Sequence, residues 1–302
     1  MLDFDSLSKH PKQQQLPKQQ IPKRQFFSEG HLFHSIAPTA QSTVSLPKQL
    51  PGSQSNKSHS NNPIMSAAAA PTHSYEHIHG DNPFLARSYG KLDIKEMTQL
   101  YDDWAKTYDN DVINGEEYKA PPLIADTIRQ HLAPSDREGD LISPSVKILD
   151  AGCGTGLVGI YLAKLGAKQV DGIDLSPGML DIARNTGAYN KLEPADLTNP
   201  IDALTGAYDV TTCVGTFTAG HVGPQCFDEL VRVTKTNGLI VATVLDEIWK
   251  PLGFDKKIEK LGAEGQVEII GTELMLYRTK HKAAARNVIL RKNGGRDSPL
   301  QQ

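Results

Sequence analysis

The chain has 302 residues, which is enough for one large domain or two small ones. Its formal net charge is −3, so charge alone does not indicate a polyanionic partner. It has three cysteines and no Cys-x-x-Cys pair, which argues for a reducing compartment and against a disulfide scaffold. No cysteine lies near a histidine in a metal-ligand spacing, so we expect no bound metal. No apolar run approaches the roughly 20 residues of a membrane helix, so we expect no membrane association.

Residues 1–88 differ in composition from the rest of the chain. They are rich in Gln, Pro, Ser and Lys, and they hold seven of the ten histidines. Their apolar residues are too sparse and aperiodic for a core, which predicts a disordered low-complexity tail. A mitochondrial presequence would be rich in arginine and poor in acids, whereas Asp3 and Asp5 open the chain and Arg24 is the only early arginine. We therefore expect a cytoplasmic protein without mitochondrial targeting, with a nuclear location left open.

The ordered domain is predicted to span residues 89–293, and residues 89–135 are predicted to form N-terminal cap helices. Apolar and aromatic residues recur there at spacings of three and four, which indicates one face of a helix: Ile94, Met97, Tyr101, Trp104 and Tyr108. We expect Ile94, Met97 and Trp104 to be core residues. The hydroxyl groups of the two tyrosines need partners if that face is buried. Residues 294–302 are predicted to be a flexible C-terminus.

The centre of the domain is the stretch 146–159. A short apolar run ends in Asp150, three glycines follow at every second position, and an apolar pattern of helical period comes next. This order predicts a buried strand, a glycine turn and a helix. Glycine is needed where a ligand lies directly against the backbone, because a Cβ atom would hold it away.

Two nucleotide ligands fit such a turn. Gly154-x-Gly156-x-x-Gly159 matches the dinucleotide fingerprint, so an NAD-dependent oxidoreductase stays an alternative. A carboxylate at Asp150 would repel the pyrophosphate of NAD and attract an ammonium group. S-adenosylmethionine has such a group and no phosphate. The residues therefore favour S-adenosylmethionine, and the absence of a Tyr-x-x-x-Lys pair also disfavours the oxidoreductase.

The stretch 149–156, Leu-Asp-Ala-Gly-Cys-Gly-Thr-Gly, resembles the first motif of the class I S-adenosylmethionine-dependent methyltransferases. The resemblance implies an α/β fold with a Rossmann-like, doubly wound, seven-stranded sheet. It also implies S-adenosylmethionine as cofactor. The cofactor-binding residues that we expect are Tyr108, Asp150, Ala151, Gly152, Cys153, Gly154, Gly156, Asp174, Leu175, Met179, Asp196, Leu197 and Val214.

Four of these residues follow the second and third predicted strands. Asp174 ends a strand eighteen residues after Gly156, where its carboxylate can accept both ribose hydroxyls of an adenosine. By the resemblance, Met179 lies against the adenine and Asp196 accepts from the adenine amino group. The backbone N–H of Leu197 would donate to the ring.

The segment Tyr101–Asp111 carries a further resemblance. It is similar to the N-terminal Tyr-Asp-x-Trp-Ala-x-x-Tyr-Asp of the methyltransferase-like protein 27 group. In many small-molecule methyltransferases such a helix closes over the cofactor. The resemblance makes Tyr108 a candidate contact to the methionine end, and we expect Tyr101 at the acceptor.

The loop after the fourth strand, residues 214–223, is small and rich in glycine. In a doubly wound sheet the ligand lies outside the carboxyl ends of the strands, so this loop should border the transferred methyl group. Its one ionisable side chain, His221, is a candidate proton acceptor, although a loop histidine without chemistry fits the same pattern. Phe217 is a candidate for the acceptor pocket, and an apolar plug is the alternative.

The charge of the ordered domain indicates the class of acceptor. Residues 91–302 hold 24 Lys and Arg against 30 Asp and Glu, which disfavours an RNA acceptor. The sequence therefore predicts methyl transfer to a small-molecule acceptor, with no nucleic acid and no obligate protein partner. A protein or RNA methyltransferase and a non-catalytic cofactor-binding scaffold remain alternatives.

Overall fold

The computed structural model describes residues 75–294, so the predictions for residues 1–74 and 295–302 lie outside the described residues. Two short helices, α1 (Glu76–His79) and α2 (Pro83–Ser88), lie where the sequence predicted a disordered tail. That prediction is wrong for residues 75–88, because Ile78 and Leu85 are buried in the core. Two short helical turns are too brief for a periodic pattern, which is why the sequence did not indicate them.

Seven strands form the main sheet: β1 (Lys147–Ala151), β2 (Gln169–Asp174), β3 (Lys191–Pro194), β4 (Tyr208–Phe217), β5 (Thr234–Leu245), β6 (Val267–Arg278) and β7 (Ala283–Lys292). Their order is β3-β2-β1-β4-β5-β7-β6. The first five are parallel neighbours, and β7 is antiparallel to both β5 and β6. This topology confirms the predicted Rossmann-like, seven-stranded sheet.

In the described part of the chain, seven further helices connect and cover these strands: α3 (Ile94–Asp109), α4 (Ala120–His131), α5 (Leu157–Lys164), α6 (Pro177–Thr186), α7 (Cys226–Val233), the short α8 (Asp246–Trp249) and α9 (Phe254–Ala263). A π-helical turn (Asn110–Gly115), a 3₁₀ turn (Pro134–Asp136) and a two-stranded hairpin (Arg137–Glu138 with Leu141–Ile142) complete the fold. Within residues 75–294, no helix is both long and apolar enough to cross a membrane.

The strand order reverses between β1 and β4. The connections through α5 and α6 lead from β1 to one edge of the sheet, and those from β4 lead to the other edge. Right-handed crossovers in opposite directions place helices on opposite faces and open a crevice at the carboxyl ends of the two central strands. The strands themselves are apolar because both of their faces are covered; Ile148, Val210 and Ile240 are fully buried.

Helix α3 begins with a capping box. The Asp93 carboxylate accepts from the Glu96 N–H and the Glu96 carboxylate accepts from the Asp93 N–H, both at 2.9 Å. Met97 and Trp104 are buried as predicted, but Ile94 is 46% exposed. The core assignment of Ile94 is therefore wrong, because the first turn of α3 lies at the edge of a cavity.

Candidate active site

A cavity opens at the carboxyl ends of β1, β2 and β4, under the first turns of α3. Its empty volume, including the open mouth, is about 850 Å³. It is lined by Leu92, Asp93, Ile94, Met97, Tyr101, Tyr108, Gly152, Gly154, Asp174, Leu175, Met179, Ala195, Asp196, Leu197, Thr198, Val214, Gly215, Thr216, Gly220, His221 and Val222. Eleven of the residues predicted for the site are in this wall, and five are not. We call it the cofactor cavity.

The glycine turn between β1 and α5 forms the floor of the cofactor cavity. Gly152, Gly154 and Gly156 all have positive φ angles, of 73°, 55° and 93°, which side chains rarely adopt. A Cβ atom at Gly152 would overlap the Thr216 side chain, whereas one at Gly154 would meet nothing within 4 Å. Gly154 is therefore the position where a ligand can approach the backbone.

The two later glycines of the fingerprint make room for Tyr189. A Cβ atom at Gly159 would lie 2.5 Å from the Tyr189 hydroxyl oxygen, and one at Gly156 would lie 2.9 Å from Tyr189 Cε2. The Gly159 N–H donates to the same hydroxyl at 3.2 Å. Gly159, the last glycine of the dinucleotide fingerprint, is therefore explained by its packing against Tyr189. Tyr189 follows α6 in a loop and carries no motif, so the sequence did not indicate its role.

Asp150 lies behind the glycine turn and not in the cavity wall. It is 1% exposed, and its Oδ2 accepts a hydrogen bond from the Tyr189 hydroxyl at 2.8 Å. Its Oδ1 has no hydrogen-bond partner among residues 75–294. Burial raises the Asp150 pKa to about 7, although the Tyr189 hydrogen bond lowers it. The expectation that this carboxylate faces the ligand directly is corrected, because the turn lies between them.

Asp174 is held at the tip of β2 with its carboxylate in the cavity wall. Its Oδ2 accepts from the Gly154 N–H at 2.8 Å and its Oδ1 from the Ser176 N–H at 2.9 Å. Burial raises its pKa, and these backbone hydrogen bonds oppose that shift. Each oxygen keeps a further lone pair. The carboxylate is therefore fixed in orientation and able to accept more hydrogen bonds.

The far wall comes from the residues after β3. The Asp196 carboxylate accepts from the Thr198 N–H at 2.8 Å and from the Asn199 side-chain amide at 2.9 Å. Leu197 and Met179 are buried beside it and present apolar surface to the cavity. A polar rim next to an apolar wall suits a flat heterocycle. The contacts to adenine expected for Asp196, Leu197 and Met179 stay predictions.

Helix α3 is attached to the cofactor side of the sheet by two carboxylates. The Asp102 Oδ1 accepts from the Ser176 hydroxyl at 2.5 Å and from the Gly178 N–H at 2.8 Å. The Asp109 Oδ1 accepts from the Thr155 hydroxyl at 2.5 Å. The repeated Tyr-Asp pair of the sequence is thus explained, because each tyrosine lines the cavity while the next residue holds the helix. The sequence predicted the tyrosines and missed the two aspartates.

His221 and Tyr101 form a hydrogen-bonded pair at the acceptor end. The Tyr101 hydroxyl is 2.8 Å from His221 Nε2, and His221 Nδ1 is 2.7 Å from the Ala219 carbonyl oxygen. A carbonyl only accepts, so Nδ1 carries the proton and Nε2 accepts from the tyrosine. Burial lowers the His221 pKa, which keeps the ring neutral. Nε2 is therefore unprotonated and hydrogen-bonded to the tyrosine hydroxyl in the cavity wall.

The remaining predicted residues lie behind the wall: Ala151, Cys153, Gly156 and Phe217. Phe217 is fully buried, with its ring stacked on Phe227 at 5.0 Å and edge-on to Phe254 at 5.4 Å. Its assignment to the acceptor pocket is wrong, because its side chain points to the opposite face of β4 from the cavity. Burial raises the pKa of Cys153 well above the usual thiol value, so that side chain is an inert packing group.

Comparisons with known proteins agree with this geometry. Residues 148–238 match a family profile described as a methyltransferase domain. Human methyltransferase-like protein 27 is 36% identical over 157 residues, which are 52% of this chain and 60% of that protein. The uncharacterized methyltransferase AN0656 of Emericella nidulans is 26% identical, over 55% of this chain and 66% of its own length. The alignments thus span less than two thirds of either relative. They confirm the resemblance to S-adenosylmethionine-dependent methyltransferases and the cofactor that it implies.

A similarity to solved structures extends beyond the matched profile. The crystal structure of the [4+2]-cyclase SpnF superposes with a TM-score of 0.51 at 16% identity, over 68% of this chain and 98% of that one. At this identity the similarity shows the fold alone. The name of that protein also shows that this fold is not restricted to methyl transfer, so the reaction has to be argued from the site.

Proposed function

We propose that this chain, with its S-adenosylmethionine-dependent methyltransferase domain, transfers a methyl group from that cofactor to a small-molecule acceptor. The observation that carries the proposal is the cofactor cavity. One end of it is built from Gly154 and the Asp174 carboxylate, and the other end holds the Tyr101–His221 pair. A donor site and a proton acceptor thus face the same space.

The cavity residues fit the cofactor. Asp174 and Asp196 supply carboxylate oxygens for the ribose and the adenine amino group, and Met179 and Leu197 supply the apolar wall. The open space above Gly154 leaves room for the methionine end. Tyr108 lines that end from α3. S-adenosylmethionine supplies a methyl group on a positively charged sulfur, which makes the methyl carbon reactive toward a nucleophile.

The contribution of the protein is positioning and proton removal. Holding donor and acceptor in line supplies most of the rate of such a displacement. The Tyr101 oxygen can accept the proton that an acceptor hydroxyl or amine releases, while its own proton passes to His221 Nε2. His221 then carries the charge, which the Ala219 carbonyl stabilises through Nδ1. The positive charge that the donor sulfur loses is thus replaced by one on His221, which lines the same cavity.

Titration of the full chain with S-adenosylmethionine, S-adenosylhomocysteine and NAD tests the donor site. We expect micromolar binding of the first two and none of NAD, with the affinity lost in Asp174→Ala. Asp171→Asn is the matched control, because Asp171 lies on the same strand, outside the cofactor cavity, and accepts from Tyr208 at 3.1 Å. Binding of NAD alone would refute the proposal. Cofactor binding without methyl transfer to any acceptor would instead support a scaffold.

A further inference from the structure

A second cavity adjoins the cofactor cavity and is not accounted for by donor binding. Its empty volume, including its open mouth, is about 390 Å³. Three residues, Tyr101, Tyr108 and Gly215, line both cavities. The rings of the two tyrosines have their centroids 6.4 Å apart, and they lie where the two spaces meet. We call this space the tyrosine chamber, because five of its lining residues are tyrosines: Tyr89, Tyr101, Tyr108, Tyr118 and Tyr277.

The tyrosine chamber has apolar walls with phenol groups set into them. Tyr118 and Tyr277 pack edge to face with centroids 5.6 Å apart, and Trp104 lies edge-on to Tyr108 at 4.7 Å. Burial raises the pKa of Tyr89 and of Tyr118 well above the usual phenol value, so these groups remain neutral hydrogen-bond donors. Such walls suit a flat apolar body that carries a few polar atoms.

One guanidinium, that of Arg278, lines the chamber at the end of β6. The residue is only 3% exposed, and its Nη2 donates to the Tyr89 hydroxyl at 2.6 Å. Its Nη1 is 3.9 Å from Glu116 Oε2, beyond hydrogen-bond distance. Its Nε and Nη1 have no hydrogen-bond partner within residues 75–294. A buried guanidinium with unmatched donors is costly, and a planar anion is the group that satisfies it.

We propose that the tyrosine chamber binds the methyl acceptor and that the acceptor is a small monocarboxylic acid with a flat apolar body, held through its carboxylate by Arg278. This inference rests on the proposed function and specifies its substrate. The nucleophilic hydroxyl or amine of the acid lies at the Tyr101 end.

The charges of the chamber favour a single negative charge. The Glu116 carboxylate, 3.9 Å from Arg278 and 3.8 Å from His281, already offsets part of the positive charge. A dianion such as a phosphate ester would be repelled by it more strongly than a monoanion, and a single carboxylate can accept along one edge of the guanidinium.

The position of Arg278 sets the orientation of the acceptor. Arg278 lines the tyrosine chamber and not the cofactor cavity, whereas Tyr101 and Gly215 line both. The carboxylate is therefore bound away from the donor and is not the methylated group. The opposite end of the molecule reaches the wall that the two cavities share, where the Tyr101–His221 pair lies.

The test is a paired screen with the full chain. Monocarboxylic acids that carry a hydroxyl or an amine, among them 4-hydroxybenzoate, are each compared with the neutral carboxamide of the same body. Release of S-adenosylhomocysteine is measured for every pair. We expect turnover of at least one acid, with kcat/KM at least about 30-fold above that of its amide, which corresponds to the loss of one hydrogen-bonded charge pair.

Substitutions of Arg278 test whether this residue is the source of the preference for an acid over its carboxamide. Arg278→Gln should abolish the preference for the acid, and Arg278→Lys should restore part of it. Arg286→Gln is the matched control, because Arg286 pairs with Asp246 at 2.8 Å outside both cavities and should leave the preference unchanged. Unaltered S-adenosylmethionine affinity in Arg278→Gln shows that the variant is folded.

The outcomes separate this inference from the proposed function. Cofactor binding with turnover of amides as readily as acids, or with turnover of neutral compounds only, overturns the inference and leaves the methyltransferase intact. Cofactor binding without turnover of any acid overturns it as well. Absence of cofactor binding in the wild-type chain refutes the proposed function itself.

Discussion

The Asp102 carboxylate of α3 accepts the backbone N–H of Gly178 in the first turn of α6, with 2.8 Å between Oδ1 and N. The two residues are 76 positions apart, and the contact attaches the cap helix to the helix that follows β2. A Cβ atom at Gly178 would lie 2.9 Å from the same oxygen, so the approach requires glycine. The helix that carries Tyr101 and Tyr108 is thus positioned by the donor half of the site.

Replacing Asp102 should weaken donor binding although Asp102 does not line the cavity. Asp102→Ala removes the acceptor of two hydrogen bonds, which are worth roughly 1.5–3 kcal/mol each when the acceptor is charged. We expect the dissociation constant of S-adenosylmethionine to rise about tenfold or more, as measured by calorimetry. Asp103→Ala is the control, because Asp103 is exposed and bonds only Gln99 of its own helix. Equal effects of the two substitutions would contradict this account.

Replacing Asp174 should affect the donor and not the acceptor. In Asp174→Asn one oxygen still accepts from a backbone N–H, but the negative charge that would bind the ribose is lost. We expect the dissociation constant of S-adenosylmethionine to rise roughly 10- to 100-fold, since charged hydrogen bonds are involved. The KM of the acceptor should change little. A variant with unchanged cofactor affinity would remove Asp174 from the binding site.

Removing the proton path should lower turnover without loss of binding. Tyr101→Phe and His221→Asn each break the pair between the tyrosine hydroxyl and Nε2. For a hydroxyl acceptor we expect kcat to fall roughly 10²-fold or more in either variant, and the double variant to be no slower than the worse single one. Cofactor affinity should be retained. Additive losses in the double variant would show that the two residues act separately.

The buried Asp150 should make stability depend on pH. Its pKa is about 7 in the folded chain against a usual value of 3.8, so between these values the folded chain binds the additional proton. Its contribution to the free energy of unfolding is therefore complete below about pH 4 and is lost as the pH rises through about 7. The loss is on the order of 4 kcal/mol.

Denaturant unfolding of the cofactor-free protein across this pH range measures that dependence. Asp150→Asn keeps an acceptor for the Tyr189 hydroxyl and has no titrating group, so its curve should be flatter and should lie above the wild type at alkaline pH. Asp181→Asn, at an exposed position on α6, should reproduce the wild-type slope. Parallel curves for the wild type and Asp150→Asn would rule out a perturbed carboxyl.

Gly159 should be required for packing and not for a ligand. Gly159→Ala places a methyl group against the Tyr189 ring and should destabilise the fold by about 1–3 kcal/mol. In a Tyr189→Ala background the same substitution should be neutral or stabilising, because alanine is the better residue inside α5. A thermal-unfolding double-mutant cycle measures the coupling. An undiminished cost in the Tyr189→Ala background would point to backbone strain instead.

Local patterns were enough to predict which residues meet at the cofactor cavity. The glycine turn, the carboxylate of Asp174 and the loop histidine each follow a strand within a few residues, and parallel strands bring their carboxyl ends to one edge. The positions of Gly154, Asp174 and His221 at one cavity were therefore predictable. Asp150 was misplaced, because alternation along a strand does not show which residues a following turn will cover.

The tyrosine chamber and the support of the glycine turn depend on contacts between distant parts of the chain. Arg278 and Tyr89, which meet in the tyrosine chamber, are separated by 189 positions. Tyr189 and Asp150 are 39 positions apart. No motif marks any of these side chains. Pairings of this kind are set by tertiary packing and do not follow from local sequence.

The residues that line the two cavities lie partly outside the segment that matches the methyltransferase profile. Gly154, Asp174 and His221 fall inside residues 148–238, which match the methyltransferase profile, whereas Tyr89 and Arg278 lie on either side of them. Relatives that align only over the central segment carry no information on Tyr89 and Arg278. A group that diverges in its flanking segments can therefore change substrates while its methyl-transfer chemistry stays constant. The residues aligned with Tyr89 and Arg278 are the ones by which relatives should be sorted into substrate classes.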